Sequence, residues 1–228
     1  YNDTTSVITS STNYKQDFES IIFPPTAWQT PNSSFSWQSI IVDSGSNCLP
    51  NKVTYVDHYH ISQRGDEAFL ISNKVKLGNG PSAINYLTYD YSYSGFSSAH
   101  DDGFRIDISN DCGHSWDSIY GAFGADLATT SYQSSVWFPT CDSWQTDTIN
   151  LSSLGYNNDT IMLRFVAIND CGNQFYLDNI NINGDNIIST KNIENYRKVM
   201  IDEQFLFFLF KFRKCLFMLN LKINARYY

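Results

Sequence analysis

The sequence predicts an all-β fold, a β-sandwich or jelly roll, on three observations. Within residues 102–120, Phe104, Ile106 and Ile108 alternate with Arg105, Asp107 and Ser109, the period of two of a half-buried strand. Aromatic residues make up 16% of the chain, with 15 Tyr and 16 Phe, and such rings suit a pleated surface. Turn residues recur between short apolar runs, and no amphipathic helix pattern occurs before residue 190.

The elements run in order along the chain. Residues 1–16 are polar and expected to fray. Ile21-Ile22-Phe23 is stopped by Pro24-Pro25. Trp37–Val42 is a strand, and Asp43–Lys52 is a loop rich in Ser, Gly and Asn. Val53–Ile61 and Asp66–Ile71 are strands, and a turn comes next at Gly78-Asn79-Gly80-Pro81. Ala83–Tyr93 is a long strand with Leu87, Tyr89, Tyr91 and Tyr93 on one face, which suits core packing better than a sugar platform. The opening hairpin turns at Asn110-Asp111-Cys112-Gly113, and Trp116, Ile119 and Tyr120 begin its second strand. Trp144–Leu151 and Thr160–Ile168 are joined by a turn at 154–158. Gln174–Asn183 closes the domain, with Phe175 and Leu177 expected on one face and Tyr176, Asp178, Ile180 and Ile182 on the other. The chain carries no internal repeat on this reading.

Charge divides the chain. Residues 1–190 hold 7 Lys and Arg against 20 Asp and Glu, whereas residues 191–228 hold 8 against 3. The overall charge of −8 argues against nucleic-acid binding, which needs clustered Lys and Arg. Three units are expected: a flexible segment 1–16, a sandwich 17–185, and an atypical basic, apolar tail 186–228. The tail reads as a frameshifted end, with a basic amphipathic helix as the alternative. No run of apolar residues is long enough for a transmembrane helix, so no membrane insertion is expected. No signal-peptide pattern is found after Tyr1, so export implies a leader already removed or a fragment. Four of the five cysteines lie in the acidic region. In an exported chain the expected disulfide is Cys112–Cys141, with buried free thiols as the alternative.

The blocks FxxPPxxW, DEAFLIS, AINYLTYDYSYS, DDGFRIDISNDCGHSW, WQTDTINLSSL, IMLRF and QFYLDNINI occur in that order over residues 17–184. The arrangement resembles the MAM-like and cleaved-adhesin-type jelly-roll accessory domains of secreted Bacteroidetes proteins. That resemblance implies a galactose-binding-like sandwich, a secreted or cell-surface location, upstream domains in the same polypeptide, and a glycan or extracellular protein as partner. It implies structural calcium, with Glu19 from the opening segment and Asp178 from the closing strand as ligands, since calcium takes several oxygen donors. A C-terminal accessory domain of a secreted metallopeptidase is the alternative function.

Other residues are read directly. Asp101 and Asp102 form either a second calcium position or a solvated turn. Trp137 and Trp144 are the candidates for stacking on a ligand, or else core residues. His58 and His60 share a strand face but lack a third metal ligand. Cys112 and His114, two apart in a turn, lack the third group that nucleophilic catalysis needs. No HExxH or GxSxG motif occurs, so the chain is expected not to be an enzyme.

Overall fold

A computed structural model describes residues 14–31, 33–78 and 84–182. Most of segment 1–16, the tail, and all but the first residue of the turn at 78–81 lie outside the described residues.

Eleven strands are present among the described residues: β1 Tyr14–Gln16, β2 Gln38–Val42, β3 Asn51–Val56, β4 Glu67–Ile71, β5 Val75–Lys76, β6 Tyr86–Tyr93, β7 Gly103–Ser109, β8 Asp117–Phe123, β9 Gln145–Asn150, β10 Thr160–Ile168 and β11 Phe175–Ile182. A single turn of helix, α1, spans Gly124–Leu127, and a 3-10 turn spans Cys141–Ser143. The strands form two antiparallel sheets. The first has the order β2-β3-β11-β6-β9, with β1 also on β11, and the second has the order β4-β10-β7-β8, with β5 also on β10. The chain thus crosses repeatedly between the two sheets, as a jelly roll requires.

The alternation of β7 and β6 places the core. Phe104, Ile106 and Ile108 are fully buried, and so are Leu87, Tyr89 and Tyr93. Phe104 lies 4.6 Å from Phe175 across the two sheets, with the ring planes 27° apart. Trp37 meets Phe175 edge-on at 6.1 Å, and its Nε1–H donates to the Ala68 carbonyl oxygen at 3.1 Å. Each fully buried ring of this kind contributes roughly 1.5–3 kcal/mol.

Two elements differ from expectation. Residues 14–16 are not frayed: Tyr14 pairs with Ile182, and its hydroxyl accepts the Trp28 Nε1–H at 2.5 Å. Burial pushes the Tyr14 hydroxyl up to about 12. The second difference lies in β11. The pairing of β11 with β6 shifts between Asp178 and Asn181, and Asn179 has a φ of 49°. This bulge inserts a residue and reverses the facing of the residues after it. Ile180 and Ile182 therefore join Phe175 and Leu177 in the main core, while Tyr176 belongs to a second cluster.

Candidate functional site

At one end of the sandwich the loops at 57–66, 94–102, 124–138 and 169–174 come together. The strand registers fix this, since Phe175 pairs with both Val56 and Tyr93, and Ile168 pairs with both Glu67 and Gly103.

Asp102 anchors this end. It is fully buried. Its Oδ1 accepts the amides of Asp170 at 2.7 Å and Gly172 at 3.1 Å. Its Oδ2 accepts the Tyr93 hydroxyl at 2.9 Å and the Asn173 amide at 3.0 Å. Four donors occupy the lone pairs of the carboxylate. Successive backbone N–H groups make an anion-binding concavity, here filled by the protein's own side chain. Burial, and then the Asp102 charge, push the Tyr93 hydroxyl well above its ordinary range.

His58 is buried beside it. Its Nδ1 lies 3.2 Å from Asn169 Oδ1 and 3.5 Å from Asp102 Oδ1. The Asn169 amide group donates to the carbonyls of Ile61 and Gln63, so its oxygen is the acceptor and His58 Nδ1 is the donor. His58 Nε2 is buried with no hydrogen-bond partner among the described residues. Burial lowers the His58 pKa from its ordinary value, against the opposing pull of Asp102.

Over this base lies a chain of rings. Tyr59 meets His60 at 5.0 Å and Phe96 at 6.0 Å, and Phe96 meets His100 at 4.9 Å. All three contacts are tilted or edge-on, and the rings are half-buried or exposed. Two polar contacts flank them: His60 Nδ1 lies 2.7 Å from Asp57 Oδ2, and Arg64 pairs with Asp170 at 3.0 Å. The Asp101 amide donates to Asp170 at 2.8 Å. The surface is thus aromatic, acidic and accessible, on a buried polar base.

A second polar cluster lies on the outer face of the first sheet. Asp178 is fully buried and stands directly across from Asp90 on β6. The Asn179 side-chain amide donates to Asp90 at 2.7 Å and to Asp178 at 3.2 Å. Asn51 donates to Asp178 at 2.7 Å, and Ser46 and Thr146 donate to Asp90 at 2.7 and 2.6 Å.

No family model and no curated protein sequence matches this chain. Solved structures do. The K1 cleaved adhesin domain of Lys-gingipain from Porphyromonas gingivalis W83 superposes with a TM-score of 0.54 at 16% identity, over 77% of this chain and 99% of that one. The K2 cleaved adhesin domain of Lys-gingipain gives 0.50 at 15% identity, over 75% of this chain and 99% of that one. The fold is an adhesin-like jelly roll.

On this jelly roll the residues singled out in the sequence fall in different places. Asp102 serves as the loop anchor described above, with protein donors on both of its oxygens. Asp101 is exposed and tied through its amide to Asp170. Glu19 is exposed in the turn after β1, its amide 3.4 Å from Asp17 Oδ1. Among the described residues no group of three or more His, Cys, Asp or Glu is placed to hold a metal ion.

Trp137 and Trp144 are half-buried and pack against Val42, Val53 and Tyr176. Trp137 meets Tyr176 edge-on at 5.7 Å, and Trp144 Nε1–H donates to the Ser44 carbonyl oxygen at 2.9 Å. The expected Cys112–Cys141 disulfide is corrected, because Cys141 is bonded to Cys48. Cys112 sits free and exposed at the tip of the β7–β8 hairpin in the second sheet, while Cys141 lies over the first sheet beside the β2–β3 loop.

One signal was missed in the sequence. The tetrapeptide Asn-Asp-Cys-Gly occurs at 110–113 and again at 169–172. Cys112 and Cys171 both take positive φ, 63° and 62°. In the first copy the amides of Asp111 and Gly113 close on Ser109 Oγ; in the second the amides close on Asp102. The recurrence marks an amide-gathering turn.

Proposed function

We propose that the chain is a non-catalytic extracellular recognition module, and that its ligand is a neutral glycan seated on the loop end. The carrying observation is the ring chain His60, Tyr59, Phe96 and His100 beside Asp57 and Asp170. Aromatic rings bury the apolar face of a pyranose, and carboxylate oxygens accept its hydroxyl protons. An acidic rim disfavours sialylated or sulfated sugars by like-charge repulsion. The Asp102 anchor reduces the entropy lost on binding, because the loops are held before the ligand arrives. A disulfide in the described domain supports an oxidising, extracellular setting.

Calcium belongs to this proposal as a structural ion. Its support is Asp178, a buried carboxylate facing Asp90, with the Ser46 and Thr146 hydroxyls on Asp90; carboxylate and hydroxyl oxygens are donors of the hard type that calcium takes.

The test is an array of neutral and acidic glycans probed with the wild type and a Tyr59→Ala/Phe96→Ala variant. Retention on neutral glycans that the double substitution abolishes supports the reading. Retention that survives the substitution moves the site elsewhere, and preference for acidic glycans overturns the ligand class.

A further inference from the structure

The disulfide spans 93 residues of sequence and joins two loops over one face of the sandwich. Cys48 lies in the β2–β3 loop, and Cys141 lies on a strap, residues 129–144, that crosses the outer face of the first sheet. Both cysteines are exposed. Exposed disulfides are the labile ones in thiol exchange.

Beneath the two loops lies a small apolar cluster apart from the main core. Val42, Val53 and Tyr176 are its buried members, with Ile40, Tyr55, Trp137 and Trp144 packed on them. Tyr55 stacks on Tyr176 at 5.9 Å. Beside this cluster stand Asp90 and Asp178, with Ser46 of the β2–β3 loop on Asp90.

The strap is fastened to the sandwich in both halves. Its first half is held by Asn173, which donates to the carbonyls of Gln133 and Ser135 and accepts the Trp137 amide. The second half, 138–144, is tied to β6 by the buried Ser92 hydroxyl, which donates to the Ser143 carbonyl oxygen at 2.8 Å, and to the β2–β3 loop by the Trp144–Ser44 hydrogen bond and the disulfide. Phe138 is 55% exposed there. Across the disulfide, Cys48, Leu49 and Pro50 of the β2–β3 loop are all exposed, and a segment with little burial opens locally at low cost.

We propose that Cys48–Cys141 is a reducible latch whose cleavage parts the β2–β3 loop from the 138–144 half of the strap and opens the face around Tyr176, Asp90 and Asp178. A small dithiol attacks one sulfur, forming a mixed disulfide, and its second thiol displaces the cysteine. The dithiol leaves as a cyclic disulfide, having delivered two electrons and two protons to the two cysteine sulfurs. The main core keeps its contacts. This inference is independent of what the loop end binds.

The experiment is native hydrogen exchange on the full chain carrying Cys112→Ser, Cys171→Ser and Cys215→Ser, oxidised and after millimolar dithiothreitol. A Cys48→Ser/Cys141→Ser variant supplies the permanently open form. Amides of 43–49 and 138–144 should exchange at least about tenfold faster once reduced, with much smaller changes in β7 and β10. Equal acceleration of all these regions overturns the latch, since the bond would then hold the whole domain. Unchanged exchange in the two loops, or a disulfide that dithiothreitol cuts only in urea, overturns it as well.

Discussion

Asp102 and Gly172 are fitted to each other. A Cβ atom on Gly172 would stand 2.0 Å from Asp102 Oδ2, while the Gly172 amide donates to Oδ1 at 3.1 Å. The loop approaches the carboxylate closely enough for its backbone to bind it, and a side chain there blocks the approach. Gly172→Ala should therefore cost about 1–3 kcal/mol through overpacking. Asp102→Asn should cost about as much, by turning an amide donor toward backbone donors. Urea unfolding measures both. A wild-type midpoint for Gly172→Ala would show that the loop has room to spare.

His58 gives the domain an acid limit. Its folded pKa lies below the ordinary value of 6.5, with burial as the leading cause. The unfolded chain then binds a proton that the folded chain resists. Stability from this group is complete above pH 6.5 and falls as pH drops below it, by at most about 1.4 kcal/mol per pH unit. His58→Gln should flatten that part of the stability curve measured between pH 7 and 5. A curve of unchanged slope would assign the acid sensitivity to other groups.

Trp144 should matter for stability and not for recognition. Trp144→Ala removes its contacts with the small outer cluster and the hydrogen bond to Ser44. Because it is half-buried, the cost should fall near the low end of the roughly 3–5 kcal/mol seen for core aromatic deletions. Glycan retention of the folded variant should equal that of the wild type. Loss of retention in a variant that still melts cooperatively would return Trp144 to the ligand.

Calcium should raise the melting temperature. Saturating a native-state site at a hundred times its dissociation constant adds about 2.7 kcal/mol. Melts in excess EDTA and in millimolar calcium should differ, and Asp178→Asn should remove the difference. Identical wild-type melts would dismiss the ion and leave Asp178 to its amide partners.

The sheets were legible because alternation is a local property. Phe104, Ile106 and Ile108, and Leu87 through Tyr93, show their buried face by spacing alone. The facing of Ile180 was not legible. It depends on one residue, Asn179, taking positive φ in the middle of an otherwise regular strand. The disulfide was misassigned because nearness in sequence says nothing about which loops a strap brings together. Asp102 looked like a turn carboxylate beside Asp101, and its backbone partners lie about seventy residues away. The loop-end rings come from two loops, 57–66 and 94–102, and neither shows a pattern of its own.

Tyr14 pairs with Ile182, so the polypeptide reaches the sandwich and leaves it at one corner. The loop end lies at the start of β11, roughly 20 Å along the strand from that corner. A longer protein carrying this domain would hold it as a pendant, attached at a single point with the Asp102 loop end outward. Tension along such a chain would pull β1 and the end of β11 from the same pole, and β1, paired to β11 alone, would part before the central β11. The loops held by Asp102 would be the last part of the domain to feel the load.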